Sequence, residues 1–259
     1  MPGVLDLLFI VLLTVVLPLY AHFIDWPRLQ GWLREIPDQA RRRAYLGTMA
    51  QQWVLVGVVA VFWRRFGRSG AALRLVPPTG WRLGLALGVV ALLVLQQIQT
   101  VRAVSRSAKS RARVRSQVGV FADIVPHTRA EAVLSMPLAL TAGICEEVLF
   151  RGYLLWALAP LLTAWGAAVV AVVVFGLLHS YQGRKGGVRT GLVGLVMTIL
   201  VAVTRSLYPA MVVHALIDVG GLLACYIALR ERDEEGEAVA AEPRPSTALT
   251  EREAPSPAG

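Results

Sequence analysis

The chain has 259 residues, of which 56% are hydrophobic, with a formal net charge of +9 and a mean hydropathy of +0.58. A soluble domain of this length is about 45–50% apolar. The excess here is gathered into runs of about 20 residues, each long enough to cross a bilayer. With two cysteines and no CxxC pair, the sequence also argues against a disulfide or zinc-ribbon scaffold.

The apolar runs predict an all-α, polytopic transmembrane bundle of about seven membrane helices, the count lying between six and eight. In chain order they cover 3–21, 45–63, 82–101, 131–161, 164–179, 187–204 and 208–229. Residues 1–21 lack a basic leading region and an evident cleavage site, so they read as a first membrane helix rather than a signal peptide. The fourth run is too long for one straight crossing and is expected to tilt or to lie partly in the interface. Residues 1–230 thus form a membrane-embedded domain. The stretch from Glu231 to Gly259 is polar and rich in Pro, Glu and Ala, and is expected to be a disordered cytoplasmic tail.

That tail holds 8 of the 17 acidic residues and 3 of the 26 basic ones, leaving a strongly basic body. Lys and Arg number 17 in the odd-numbered loops with their adjoining helix ends and just after the last helix, against 6 in the even-numbered loops with theirs. The positive-inside rule then puts the N-terminus outside and the C-terminus in the cytoplasm. Five arginines around the second loop fall on the wrong side. The basic surface suits anionic lipid headgroups, not nucleic acid, even in the run from Arg102 to Arg115. An arginine-rich, lysine-poor composition points to a GC-rich bacterial source and hence the inner (cell) membrane.

Ionisable residues at bilayer depth are costly and mark functional sites by default. Here they are Glu146, Glu147, Arg151, His179, His214 and Asp218, while Cys145 reads as a packed, inert thiol. Glu147 and Arg151 are four residues apart on one helix face, suited to an ion pair. Glu146 lies about 100° further round and is left without that partner. His214 and Asp218 are again four apart and suit a shared water, proton or metal. Counting about 1.5 Å per residue from a turn near Leu162 to Ala164 brings the glutamates level with His179. The same counting leaves His214 roughly 10 Å or more away.

Three stretches, "EEVLFR", "FGLLH" and "HALID", resemble in order the EExxxR, FxxxH and Hxxx(N/D) motifs of the CPBP (ABI) family of intramembrane proteases. That family includes the type II CAAX prenyl endopeptidases. The resemblance covers about residues 125–225. Asp218 stands where many members carry asparagine. The resemblance implies an intramembrane endopeptidase acting on a membrane protein or peptide. Glu146, His179, His214 and Asp218 would be its catalytic residues, with Glu147, Arg151 and Phe175 in support. In a metal-free version Glu146 is a general base on water, His179 orients that water or shares its proton, and His214 stabilises the oxyanion with Asp218 fixing its tautomer or assisting. In the other, His179, His214 and Glu146 hold Zn²⁺; the HExxH motif is absent. The metal-free route is preferred. A non-enzymatic membrane partner, as in bacteriocin self-immunity, and a proton-coupled transporter are the rival functions.

Overall fold

The computed structural model describes residues 2–241, and every regular element in it is helical. The first helix, α1, runs Val4–Glu35 and is interrupted by two π-helical turns, Leu12–Val16 and Ala21–Asp25. Pro37 opens α2 (Pro37–Arg65), where its missing N–H costs nothing. After a short 3₁₀ turn at Gly70–Leu73 comes α3 (Trp81–Arg106). Ser107 then caps a short basic helix, α4 (Ala108–Val118), accepting from the Ser110 N–H at 3.3 Å.

The next helical run, Arg129–Leu178, is 50 residues long. Thr128 and Glu131 start it with reciprocal hydrogen bonds of 3.2 and 3.0 Å. Thr163 breaks it, at φ 67° and ψ 165°, a backbone conformation unfavourable for a β-branched residue. The run is therefore two antiparallel helices, α5 (129–162) and α6 (164–178). Next come α7 (Gly183–Thr204) and α8 (Tyr208–Ala241). Among the described residues six continuous runs are long and apolar enough to cross a membrane, and the break at Thr163 turns six into seven helices. The protein is an integral membrane helical bundle. The last helix continues past Glu231, where the sequence places the start of the tail; residues 242–259, the rest of that tail, lie outside the described residues.

Glycine sets how closely the helices approach. A Cβ at Gly143 of α5 would stand 2.8 Å from the backbone nitrogen of Ala215 and 2.9 Å from the Met211 carbonyl of α8. A Cβ at Gly176 of α6 would stand 3.0 Å from the Gly187 carbonyl of α7. Small residues of this kind let backbones nearly touch, which is how membrane helices gain packing energy without a hydrophobic effect between them. The main core lies where α5, α6, α7 and α8 meet, around Phe150, Leu154, Phe175, Met197 and Leu207.

Polar contacts add fixed points. Arg41 of α2 donates to Glu131 at 2.7 Å, and Tyr45 donates to the Ile124 carbonyl at 2.7 Å. On the side of the N-terminus, Asp6 is fully buried. It accepts from Arg68 at 2.8 and 2.6 Å, from the Gly3 N–H at 2.8 Å and from the Tyr153 hydroxyl at 3.2 Å. The Arg68 guanidinium carbon also lies 4.3–5.1 Å from the ring centroids of Trp156, Phe66 and Trp63. Arg74 and Arg82 donate to the Val201 and Val203 carbonyls. Three arginines around the second loop are thus tied to protein groups.

Candidate active site

The site is built on four helices. In α5 the segment Glu147–Leu154 is π-helical. Single π turns inside α-helices recur at functional sites. Glu147 and Arg151 form the ion pair expected from their spacing, at 3.0 Å, and both are buried. Glu147 also reaches across to α8, where its Oε1 is 2.8 Å from His214 Nδ1. The sequence reading makes Glu147 a support for Glu146. Its actual hydrogen-bond partner besides Arg151 is His214.

His179 stands at the end of α6, its Nδ1 2.8 Å from the Phe175 carbonyl. A carbonyl only accepts, so Nδ1 carries the proton. A carboxylate likewise only accepts, so His214 donates from Nδ1 to Glu147. Both imidazoles therefore turn Nε2 toward the same place. His179 Nε2 lies 4.0 Å and His214 Nε2 3.9 Å from Glu146 Oε2. Phe175 packs among them, its ring centroid 4.6 Å from that of His179, 6.0 Å from that of His214 and 4.2 Å from the Arg151 guanidinium carbon. Asp218 Oδ2 is 3.6 Å from His214 Nε2, too far for a hydrogen bond. The tautomer of His214 is thus fixed by Glu147, whereas the sequence reading gave Asp218 that task.

Counting residues along straight, alternating helices leaves His214 out of reach, and the structure shows why it is not. The last helix does not start level with the tip of the α5–α6 hairpin. Leu207 packs on Gly152, where an added Cβ would stand 3.1 Å from its side chain. The Leu207 N–H also donates to the Arg74 carbonyl at 2.9 Å, which pins the α7–α8 turn there. From Gly152, α5 runs on for about 15 Å to its break. His214 and Glu146 lie at similar distances on the other side of that level.

Two groups escaped the sequence reading. Gln52 of α2 donates from Nε2 to Glu146 Oε1 at 2.7 Å. Gln97 of α3 donates to the Leu216 carbonyl of α8 at 2.9 Å. The signal is present: "QQ" stands inside two apolar runs, and an amide needs a partner there as much as a charge does. Cys145 is buried and free, and Cys225 is partly buried and free.

Residues 128–220 match the family model described as type II CAAX prenyl endopeptidase Rce1-like. They form a CAAX-protease-like domain. It begins at the Thr128 cap of α5 and ends two residues after Asp218, so it contains every candidate residue named from the sequence. No curated protein and no solved structure matches the chain. The CAAX-protease-like domain and the polytopic helical fold together support a function within the intramembrane protease superfamily in general. Gln52 lies outside the domain.

Zinc is the metal to test against this donor set. Tetrahedral Zn²⁺ with bonds of about 2.0–2.1 Å holds its ligand atoms about 3.3–3.4 Å apart. Glu146 Oε2 and the two Nε2 atoms are spaced more widely, at 3.9 and 4.0 Å. Among the described residues no group of three or more His, Cys, Asp or Glu is arranged to hold a metal ion. The residues as placed do not fit a zinc centre.

Proposed function

We propose that the protein is an intramembrane endopeptidase that cuts a membrane-borne protein or peptide with a water activated by Glu146. One observation carries the reading. Oε2 of Glu146 is buried without a hydrogen-bond partner and faces the Nε2 atoms of His179 and His214, residues of two other helices, at about 4 Å. A water hydrogen-bonded to two atoms at about 2.8 Å can span up to about 5.6 Å, so each of these gaps suits one water.

In the proposed reaction Glu146 takes a proton from that water as its oxygen attacks the scissile carbonyl carbon. His179 accepts a hydrogen bond at Nε2 from the water's other O–H, which stays on the attacking oxygen, and so sets its direction. The carbonyl oxygen becomes an oxyanion, stabilised by His214 as an imidazolium donating from Nε2. Glu147, bonded to Nδ1, steadies that charge, as a buried carboxylate does for a catalytic histidine. When the C–N bond breaks, Glu146 returns its proton to the leaving amine. Asp218 adds negative charge beside the imidazolium. Asp218 places a carboxylate where many members of the resembled family have an amide, so while ionised it cannot donate to the oxyanion, and the CAAX assignment in particular is weakened. The site opens toward the cytoplasm, beside Arg184 and Lys185, in a bacterial inner membrane with anionic lipids around the basic loops.

The test compares membrane-proteome termini in source cells carrying wild-type protein or Glu146→Ala at matched levels. New termini with wild type alone are expected, and their cut sites give the substrate class. Identical termini together with a phenotype that survives the substitution would replace hydrolysis with a scaffold role.

A further inference from the structure

Resting on the hydrolase reading, we infer that Gln52, on a helix outside the CAAX-protease-like domain, is a positioning residue that selects which oxygen of Glu146 acts as the base. Arg151 directs its Nη1 to Glu147, the neighbouring carboxylate. Gln52 supplies the hydrogen bond that Glu146 does have, 2.7 Å from Nε2 to Oε1. The amide can donate only from its nitrogen, so its orientation is fixed. Oε1 is thereby engaged and the carboxylate plane is held. Oε2 is left buried and unpartnered, turned toward both histidines. Two of the four buried unpartnered side-chain atoms around the site belong to this pair, Gln52 Oε1 and Glu146 Oε2. The contact is local to the chemistry. One residue further along α2, Trp53 donates to Thr141 at 3.2 Å and joins the same two helices without touching the site.

Losing a hydrogen bond to a charged group costs about 1.5–3 kcal/mol, which is roughly tenfold to a hundredfold in rate. The full chain is purified with Gln52→Leu, Gln52→Asn or Thr141→Val. Cleavage is followed on a synthetic peptide spanning a site found in the terminus comparison. Gln52→Leu is expected to lower kcat about tenfold to a hundredfold, with KM changed less than about twofold and the melting temperature held. Gln52→Asn, a shorter donor, should recover part of the loss, and Thr141→Val should keep the wild-type rate. A second measurement needs no substrate. A hydrophobic carbodiimide adds only to a protonated carboxyl, and a hydrogen bond to the carboxylate favours the ionised form. Labelling of Glu146, read by mass spectrometry, should therefore rise severalfold in Gln52→Leu at neutral pH. A folded Gln52→Leu protein with unchanged kcat, or with unchanged labelling, overturns the inference while Glu146→Ala still tests hydrolysis. If wild type cuts nothing, the labelling alone decides whether Gln52 governs Glu146, and hydrolysis is what has failed.

Discussion

Asp6 and Glu147 are both buried in this bundle and both hold an arginine, yet their clusters are completed differently. Around Asp6 both carboxylate oxygens are used, by two nitrogens of Arg68, the Gly3 N–H and the Tyr153 hydroxyl. Around Glu147 the polar atoms Glu147 Oε2, Arg151 Nε, Glu146 Oε2 and Gln52 Oε1 are all buried without partners. An unsatisfied buried polar atom costs about 1–3 kcal/mol. The first cluster behaves as a fastener, joining α1, the loop after α2 and α5. The second retains unmet hydrogen-bonding capacity, which a substrate or water can take up. Charge alone does not separate the two; saturation does.

Substitutions should separate them in the same way. The largest effect is expected for Glu146→Gln, which keeps shape and removes the base. Cleavage should fall by about 10²–10⁴-fold with the melting temperature unchanged. Peptide kinetics and thermal unfolding on one preparation would check it, and a large loss of stability would place Glu146 with the fasteners. Asp6→Ala should do the reverse. Removing one partner of a buried pair costs about 3–5 kcal/mol of stability, and the protein that remains folded should retain wild-type cleavage per molecule. Denaturant or thermal unfolding in detergent reads this directly. Glu147→Gln is intermediate, because Glu147 both pairs with Arg151 and bonds to His214. A drop of about tenfold to a hundredfold in kcat is expected together with a measurable loss of stability. Smallest of all is the response to a chelator. With donor atoms at 3.9–4.0 Å, cleavage should change by less than about twofold, and added Zn²⁺ should not raise it. Inhibition by the chelator that Zn²⁺ reverses would require the site to contract around a metal.

What could be read from the sequence was local. Spacing by four put Glu147 and Arg151 on one face, and counting from the break near Thr163 put the glutamates level with His179; both follow from the rise and pitch of a single helix. The seven apolar runs were visible as hydropathy for the same reason. His214 could not be placed that way. Its level depends on where the α7–α8 turn docks, through Leu207 against Gly152 and the Arg74 carbonyl, and that contact joins parts of the chain far apart in sequence. The partner of His214 was hidden for a related reason, since two carboxylates competed for it and only the tertiary packing gives Nδ1 to Glu147. Gln52 was missed because an uncharged amide does not stand out in an inventory of ionisable groups.

The near contact of Gly176 with Gly187 has a consequence for traffic in the plane of the membrane. Two backbones that close leave no slot for an acyl chain or a peptide, so the α6–α7 seam is shut at the level of Gly176, Gly187 and Gly191. On the hydrolase reading proposed above, a membrane-borne substrate would have to arrive by another flank. The side chain of Asp218 is 33% exposed, so the protein does not seal the flank beside it. On that reading the acid beside His214 also stands on the side left open to such a substrate.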